Sequence, residues 1–249
     1  MGATYDKVFY ENHLDGSYTS AKKILPIIYN IFKPGSVLDI GCGIGAWLSV
    51  FANDYGITDL TGVDGDYVDK AMLKIKPENF ISYDLKKTYQ PGRKYDFAMS
   101  VEVAEHLPES SADNIVDSLT MASDIVMFSA ALPHQIGTYH INEQYPEYWA
   151  KKFMDRGYIP VDLVRKKVWN EHSVEWWYKQ NIIVYVKQDV YSQYAGILEP
   201  YRSLTDPEFL TRIHPDMMGY FVQKFNQLQG YSGFLRYKLY FLKKWIQRK

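Results

Sequence analysis

Val37-Leu38-Asp39-Ile40-Gly41-Cys42-Gly43-Ile44-Gly45 is the stretch on which the reading of this chain turns. Ser36 to Ile40 is a short apolar run, the pattern of a buried strand. Three glycines follow at alternate positions, and a helical pattern starts at Ala46. Glycine lets the backbone turn sharply and lets a ligand come close to main-chain atoms. The start of the next helix adds unpaired N–H groups. Strand, glycine turn and helix are shared by several nucleotide-binding folds. Two details narrow the choice. The spacing is G-x-G-x-G rather than the G-x-G-x-x-G of pyrophosphate-binding turns, and Asp39 stands two residues before it. A carboxylate there repels a pyrophosphate and attracts a cation. No Gly-Lys-Ser/Thr follows, which excludes a P-loop.

Outward from this junction, strands and helices alternate. The spacing predicts a helix over 18–33 opened by a cap at Ser17 or Thr19, so 17–33 with its cap, and ended by Pro34-Gly35. Downstream it predicts a helix over 46–53, a strand over 60–63, a helix over 67–74 and strands over 80–83 and 95–100. A helix over 109–122, a strand over 125–129 and a helix over 143–156 come next. Two strands, 158–168 and 181–186, then follow with no helical pattern between them. Alternation up to the fifth strand argues a doubly wound parallel sheet. The last two strands pair as an antiparallel edge hairpin, giving an α/β fold with a seven-stranded mixed sheet. Residues 1–187 read as one domain. Residues 188–249, irregular and then helical with Pro200, Pro207 and Pro215 as breaks, read as a C-terminal extension.

Acids recur at the strand ends. Asp64 ends the second strand, about twenty residues past the glycine turn, where a ribose diol needs an acceptor. Asp84 follows the third. In an open sheet the ligand sits outside the carboxyl ends of the strands, so Asp39, Asp64 and Asp84 surround one crevice.

With these residues in view, the chain resembles the class I S-adenosylmethionine-dependent methyltransferases. Val37 to Gly45 resembles their first motif, Val63-Asp64-Gly65-Asp66 the second, Tyr83-Asp84-Leu85 the third and Tyr95 to Leu107 the fourth-strand motif, over about residues 35–187. The resemblance implies a Rossmann-like fold and S-adenosyl-L-methionine as methyl donor, leaving as S-adenosyl-L-homocysteine. It implies that Asp39, Gly41, Cys42 and Gly43 hold the methionine part, Asp64 and Gly65 the ribose, and Asp84 with Leu85 the adenine. Trp47, Ser100 and Glu102 complete the expected cofactor contacts.

The acceptor must be read from the segment after the fifth strand, 130–149, which carries two histidines among Asn, Gln and Glu. A hydroxyl nucleophile loses its proton as it attacks, and histidine suits that work. His140 is the first candidate base, His106 the second, with Glu143 beside them; a lone loop histidine is more often structural. His134, Tyr139 and Gln144, with Trp176 and Trp177, are the candidate acceptor contacts. The segment is similar to methyltransferases of polysaccharide and surface-glycan synthesis, which share a His-Ile/Val-Asn-Glu-Gln…Tyr-Trp stretch. That similarity implies sugar O-methylation. Methylation of a small phenol or metabolite, and a non-catalytic cofactor-binding subunit of a glycan-assembly complex, are the alternatives. Glu102, Glu105 and His106 lie close in sequence, but no adjacent Asp pair follows the fourth strand. No metal is therefore expected.

Bulk properties agree. Hydrophobic residues make up 47 % of 249, enough for a core. The net charge of −1 supplies no field for nucleic acid. One cysteine excludes a disulfide framework and points to a reducing, cytoplasmic setting. The tail from Phe234 carries Arg236, Lys238, Lys243, Lys244, Arg248 and Lys249 and no acid. It reads as a basic amphipathic helix for an anionic membrane surface, or as one that packs on its own domain or a partner subunit.

Overall fold

The computed structural model describes residues 7–228 other than Ile136, together with 235, 237–241, 243 and 244; of 7–15 and 228 only the backbone is described. Phe234, Arg236, Arg248 and Lys249 of the expected basic helix lie outside the described residues.

Seven strands form one sheet: β1 (Ser36–Ile40), β2 (Asp59–Asp64), β3 (Phe80–Ser82), β4 (Phe97–Val101), β5 (Ile125–Ser129), β6 (Tyr158–Val161) and β7 (Ile183–Lys187). Their order is β3-β2-β1-β4-β5-β7-β6. β1 is buried at all five positions, as a central parallel strand covered on both faces must be. It pairs in parallel with β2 (Leu38 opposite Thr61) and with β4 (Leu38 opposite Ala98). β7 runs antiparallel to both β5 and β6, which makes the mixed edge.

The helices are α1 (Lys7–Phe32), α2 (Ala46–Tyr55), α3 (Ala112–Ala122), α4 (Pro146–Met154), α5 (Arg165–Val168), α6 (Trp176–Asn181), α7 (Gln188–Arg202) and α8 (Pro215–Leu228). Two apolar layers enclose the sheet. Ile24, Leu25, Ile28, Leu48, Phe51 and Leu198 build one. Ile115, Leu119, Trp149, Phe153 and Tyr185 build the other, with the Phe153 and Tyr185 rings stacked at 4.0 Å.

Five local expectations are corrected. α1 is already helical at Lys7, so neither Ser17 nor Thr19 caps it; Ser17 Oγ is hydrogen-bonded to the Tyr178 hydroxyl, 3.0 Å away. In place of a helix over 67–74 there is a single 3-10 turn, Lys70–Met72, because Asp69 accepts from the Ala71 N–H and closes a local turn. α4 starts at Pro146 rather than 143, since Pro favours the first helical position and disfavours helix at the residue before it. β6 stops at Val161, where Asp162 turns back to pair with Arg165, and α5 and α6 fill the interval read as non-helical. The chain past Gln188 is not irregular at first: α7 begins directly after β7, and its Tyr191 and Leu198 join the core. Among the described residues, no helix is long and apolar enough to cross a membrane.

Arg165, 1 % exposed, holds this edge together. It donates twice to Asp162 (2.9 and 2.8 Å), and to the carbonyls of Gln180 (3.0 Å) and Leu210 (2.6 Å). Arg165→Met strands these acceptors in a dry interior. The expected loss is about 3–5 kcal/mol of stability, read from urea denaturation midpoints. Loss of less than about 1 kcal/mol, the scale of an exposed pair, would show that the network is not stabilising.

Candidate active site

At the carboxyl end of β1 the chain enters the glycine turn with Gly41, Gly43 and Gly45 all at positive φ. Gly41, at φ 84, cannot be replaced without strain: a Cβ there would lie 2.3 Å from the Val103 side chain. The turn is tied to β2 by the Gly41 N–H donating to the Val63 carbonyl at 2.7 Å. Behind it lie two buried carboxylates. Asp39 is 3 % exposed and Asp64 4 %. Burial, then the neighbouring Asp64, raises the pKa of Asp39 well above the usual carboxylate range. Burial also raises Asp64, although it accepts from Tyr67, from the Gly43 N–H (2.6 Å) and from the Gly65 N–H (2.7 Å). Neither has an ion-pair partner among the described residues. The Tyr67 ring covers Gly65, where a Cβ would lie 2.1 Å from it.

The other expected cofactor residues separate. Leu85 is buried in the second apolar layer. Asp84 is half exposed and accepts from the Lys86 N–H, holding the turn after β3. Cys42 is buried, and burial raises its thiol pKa. Trp47 is 6 % exposed and packs edge-on against Tyr178 in the core. Ser100 is fully buried with a hydroxyl that has no hydrogen-bond partner.

The neighbouring strand end, after β4, carries the acceptor candidates. Glu102 has φ 55, unusual for a residue with a side chain. Its carboxylate accepts from Gln135 Nε2 at 2.9 Å and from Asn181 Nδ2 at 3.1 Å. Burial still raises its pKa against those bonds. Three residues on, Glu105 is 1 % exposed, and neither carboxylate oxygen has a partner of normal hydrogen-bond geometry. Burial first, then Glu102, raises it well above the usual range.

The loop after β5 folds onto this turn. Ile141 and Asn142 donate their N–H groups to the Glu105 carbonyl, at 2.9 and 3.1 Å. His140 is thereby set against His106, ring centroids 4.9 Å apart. Its Nδ1 lies 3.1 Å from Glu143 Oε1, and Glu143 Oε2 accepts from the His134 N–H at 3.0 Å. Burial pushes Glu143 up, but the His140 bond and Lys244 outweigh it and hold its pKa below normal. Burial and the adjacent His140 push His106 down to about 4. His140 lies in an extended loop and not at a helix start, since α4 opens six residues later. His134 and Tyr139 are exposed and both have positive φ. Gln144 turns inward to Asn142 (3.0 Å). Trp176 packs against Trp177 and Tyr220, and Trp177 packs against the core.

Sequence reasoning did not single out Gln135, Asn181 or Glu105 as site residues. Their signal was weak: two amides from a loop and a helix end become partners of Glu102 only through the β5–β7 pairing. The expectation of no metal looked only near β4. The fold adds His140, so Glu105, His106 and His140 bring one donor atom each within 4.8 Å of one another. Of the tail, Lys244 reaches this cluster, its Nζ 3.6 Å from Glu143 Oε1.

The arrangement has counterparts. Residues 11–181 match the model of a family described as a methyltransferase domain, more than half of the chain. The chain belongs to that family. It is 28 % identical over 126 residues to the (S)-coclaurine N-methyltransferase of Papaver somniferum, covering 48 % of this chain and 36 % of that relative. The match thus spans about a third of the relative's length. Among solved structures, a sugar N-methyltransferase from Streptoalloteichus superposes with a TM-score of 0.56 at 13 % identity, covering 75 % of this methyltransferase and 94 % of that chain. A plantazolicin methyltransferase solved with SAH gives 0.52 at 16 %, covering 72 % and 88 %. These likenesses are of fold.

Asp39 makes a testable demand. Its raised pKa means its burial costs nothing below the ordinary value of 3.8 and destabilises as pH rises above it. Ligand-free Asp39→Asn should melt above wild type at pH 7, by roughly 2–4 °C per kcal/mol relieved, and converge with it near pH 4. A difference that does not change with pH would remove the buried charge as the cause.

Proposed function

We propose that this methyltransferase uses S-adenosyl-L-methionine to methylate a hydroxyl of a glycan sugar. The residues at the glycine turn fit that donor. Asp39 and Asp64 are two buried carboxyl groups with no ion-pair partner among the described residues, beside a turn whose three glycines all take positive φ. Bound there, the donor supplies an electrophilic methyl group on a positively charged sulfur. In this reading Asp39 meets its charge, Asp64 its ribose hydroxyls and Leu85 its adenine face.

The observation that carries the hydroxyl reading is the His140–Glu143 pair at 3.1 Å. A neutral amine attacks without first losing a proton; a hydroxyl does not attack well until its proton leaves. Glu143 holds His140 by Nδ1, leaving Nε2 for the acceptor's proton, as a carboxylate orients the histidine of a hydrolase triad. The acceptor oxygen forms the C–O bond as the C–S bond breaks, the sulfur keeps the electron pair and the proton passes to Nε2. The loop after β5 exposes Tyr139, Tyr145 and His134, a mix of rings and polar groups that suits a sugar, which offers C–H faces and hydroxyls together.

His140→Ala should lower turnover about 10²–10⁴-fold while donor binding, followed by calorimetry, is unchanged. The assay offers labelled donor to a panel of oligosaccharides, amino sugars and phenols and weighs the products. Undiminished turnover would refute the histidine's role. A methylated phenol or amine with no methylated sugar hydroxyl would refute the acceptor class.

A further inference from the structure

We propose that Glu105, His106 and His140 form a binding site for one divalent transition-metal ion beside the acceptor position. The three donor atoms lie within 4.8 Å of one another. Around an ion at roughly 2.1 Å, neighbouring donors stand about 3 Å apart, so side-chain shifts of about an ångström complete the site.

Glu105 supplies the independent reason. It is 1 % exposed, yet neither oxygen receives a hydrogen bond of normal geometry; the Glu105 and Ala131 N–H groups only come near. Glu102, three residues away, shows how this interior treats a carboxylate it means to satisfy internally: two side-chain amides donate to it. A buried carboxylate without donors is costly unless a cation meets it. Among the described residues no lysine or arginine pairs with Glu105.

The surroundings are arranged around the donors. The loop carrying His140 is stapled to the Glu105 carbonyl by two N–H bonds, so residues 35 apart in the chain face one another. Glu143 holds His140 Nδ1, and the Tyr139 carbonyl lies 3.4 Å from His106 Nδ1. Each imidazole is therefore turned to offer Nε2, the orientation that outer carboxylates and carbonyls impose on metal-bound histidines. Tyr139 holds its carbonyl there at φ 57, outside the region a tyrosine prefers.

The donor set selects the ion. One carboxylate and two imidazoles suit manganese, iron, cobalt or zinc; magnesium and calcium favour all-oxygen sites. Three protein ligands leave positions open. If the sugar-hydroxyl reading holds, an acceptor hydroxyl would take one of them; the ion would make that hydroxyl more acidic, His140 Nε2 would then be a ligand in place of the base, and the proton would pass to water. That consequence rests on the proposed function; the ion site does not.

The test titrates Mn²⁺ into EDTA-stripped full-length protein, purified without a polyhistidine tag, and follows free Mn²⁺ by electron paramagnetic resonance. One ion per chain should bind with micromolar affinity. Glu105→Gln and His106→Ala should abolish binding in that range. Glu143→Gln, which loosens the hold on the His140 ring and removes no ligand, should weaken it about 10–100-fold. His172→Ala, at an exposed histidine elsewhere, should bind as wild type. Retained S-adenosylmethionine affinity in each variant shows that it is folded. No micromolar site in wild type for Mn²⁺, or for Zn²⁺ in parallel calorimetry, overturns the proposal; so does wild-type binding by Glu105→Gln. An ion bound as expected with no methylated sugar in its presence overturns the acceptor reading and leaves the site standing.

Discussion

The reactive edge depends on one constraint of topology. Strand order reverses between β1 and β4, so connections leave the sheet in opposite directions at their carboxyl ends. In open sheets this reversal is where ligands bind, because neither connection crosses it. The glycine turn lies on one lip and the Glu102–His106 turn on the other. The loop after β5 can reach only the second lip, and there it meets the Glu105 carbonyl.

Asp39, Asp64 and Glu105 are buried along this edge and Glu102 is half-buried, and their partners set them apart. Asp64 is met by backbone N–H groups and Tyr67. Glu102 is met by side-chain amides from a loop and a helix end. Asp39 has a like charge for its neighbour, and Glu105 has no normal donor. A folded interior that satisfies two such groups and leaves two unmet has places for positive charge. The unmet pair divide between the lips, Asp39 behind the glycine turn and Glu105 in the turn after β4. The strained residues follow the same division: Glu102, His134 and Tyr139, three of the four described non-glycine residues at positive φ, all lie on the acceptor side. Strain persists where surrounding bonds over-determine it, and here those bonds orient functional groups.

The central strands were legible because β1 and β5 are buried on both faces and therefore read as unbroken apolar runs. Their limits match the sequence expectation at both ends. The region between β6 and β7 was not legible. Arg165, Lys179 and Gln180 read as surface residues by type, and no periodicity shows that Arg165 is buried on two carbonyls and Asp162. The length of α1 was hidden too, because a hydroxyl at Ser17 looks the same whether it caps a helix or bonds Tyr178 across the fold.

What the sequence alone determined is the glycine turn proposed for the donor: Asp39, the three glycines and Asp64 lie within 26 residues, their chemistry is local, and a strand followed by a glycine turn admits few conformations. The acceptor side was decided by tertiary structure. Glu102, Glu105, His106, Gln135, His140, Glu143 and Asn181 come from three separated segments. Whether a carboxylate there is neutralised, paired or left for an ion depends on which segment packs against it. That is a property of long-range packing, which no local pattern encodes.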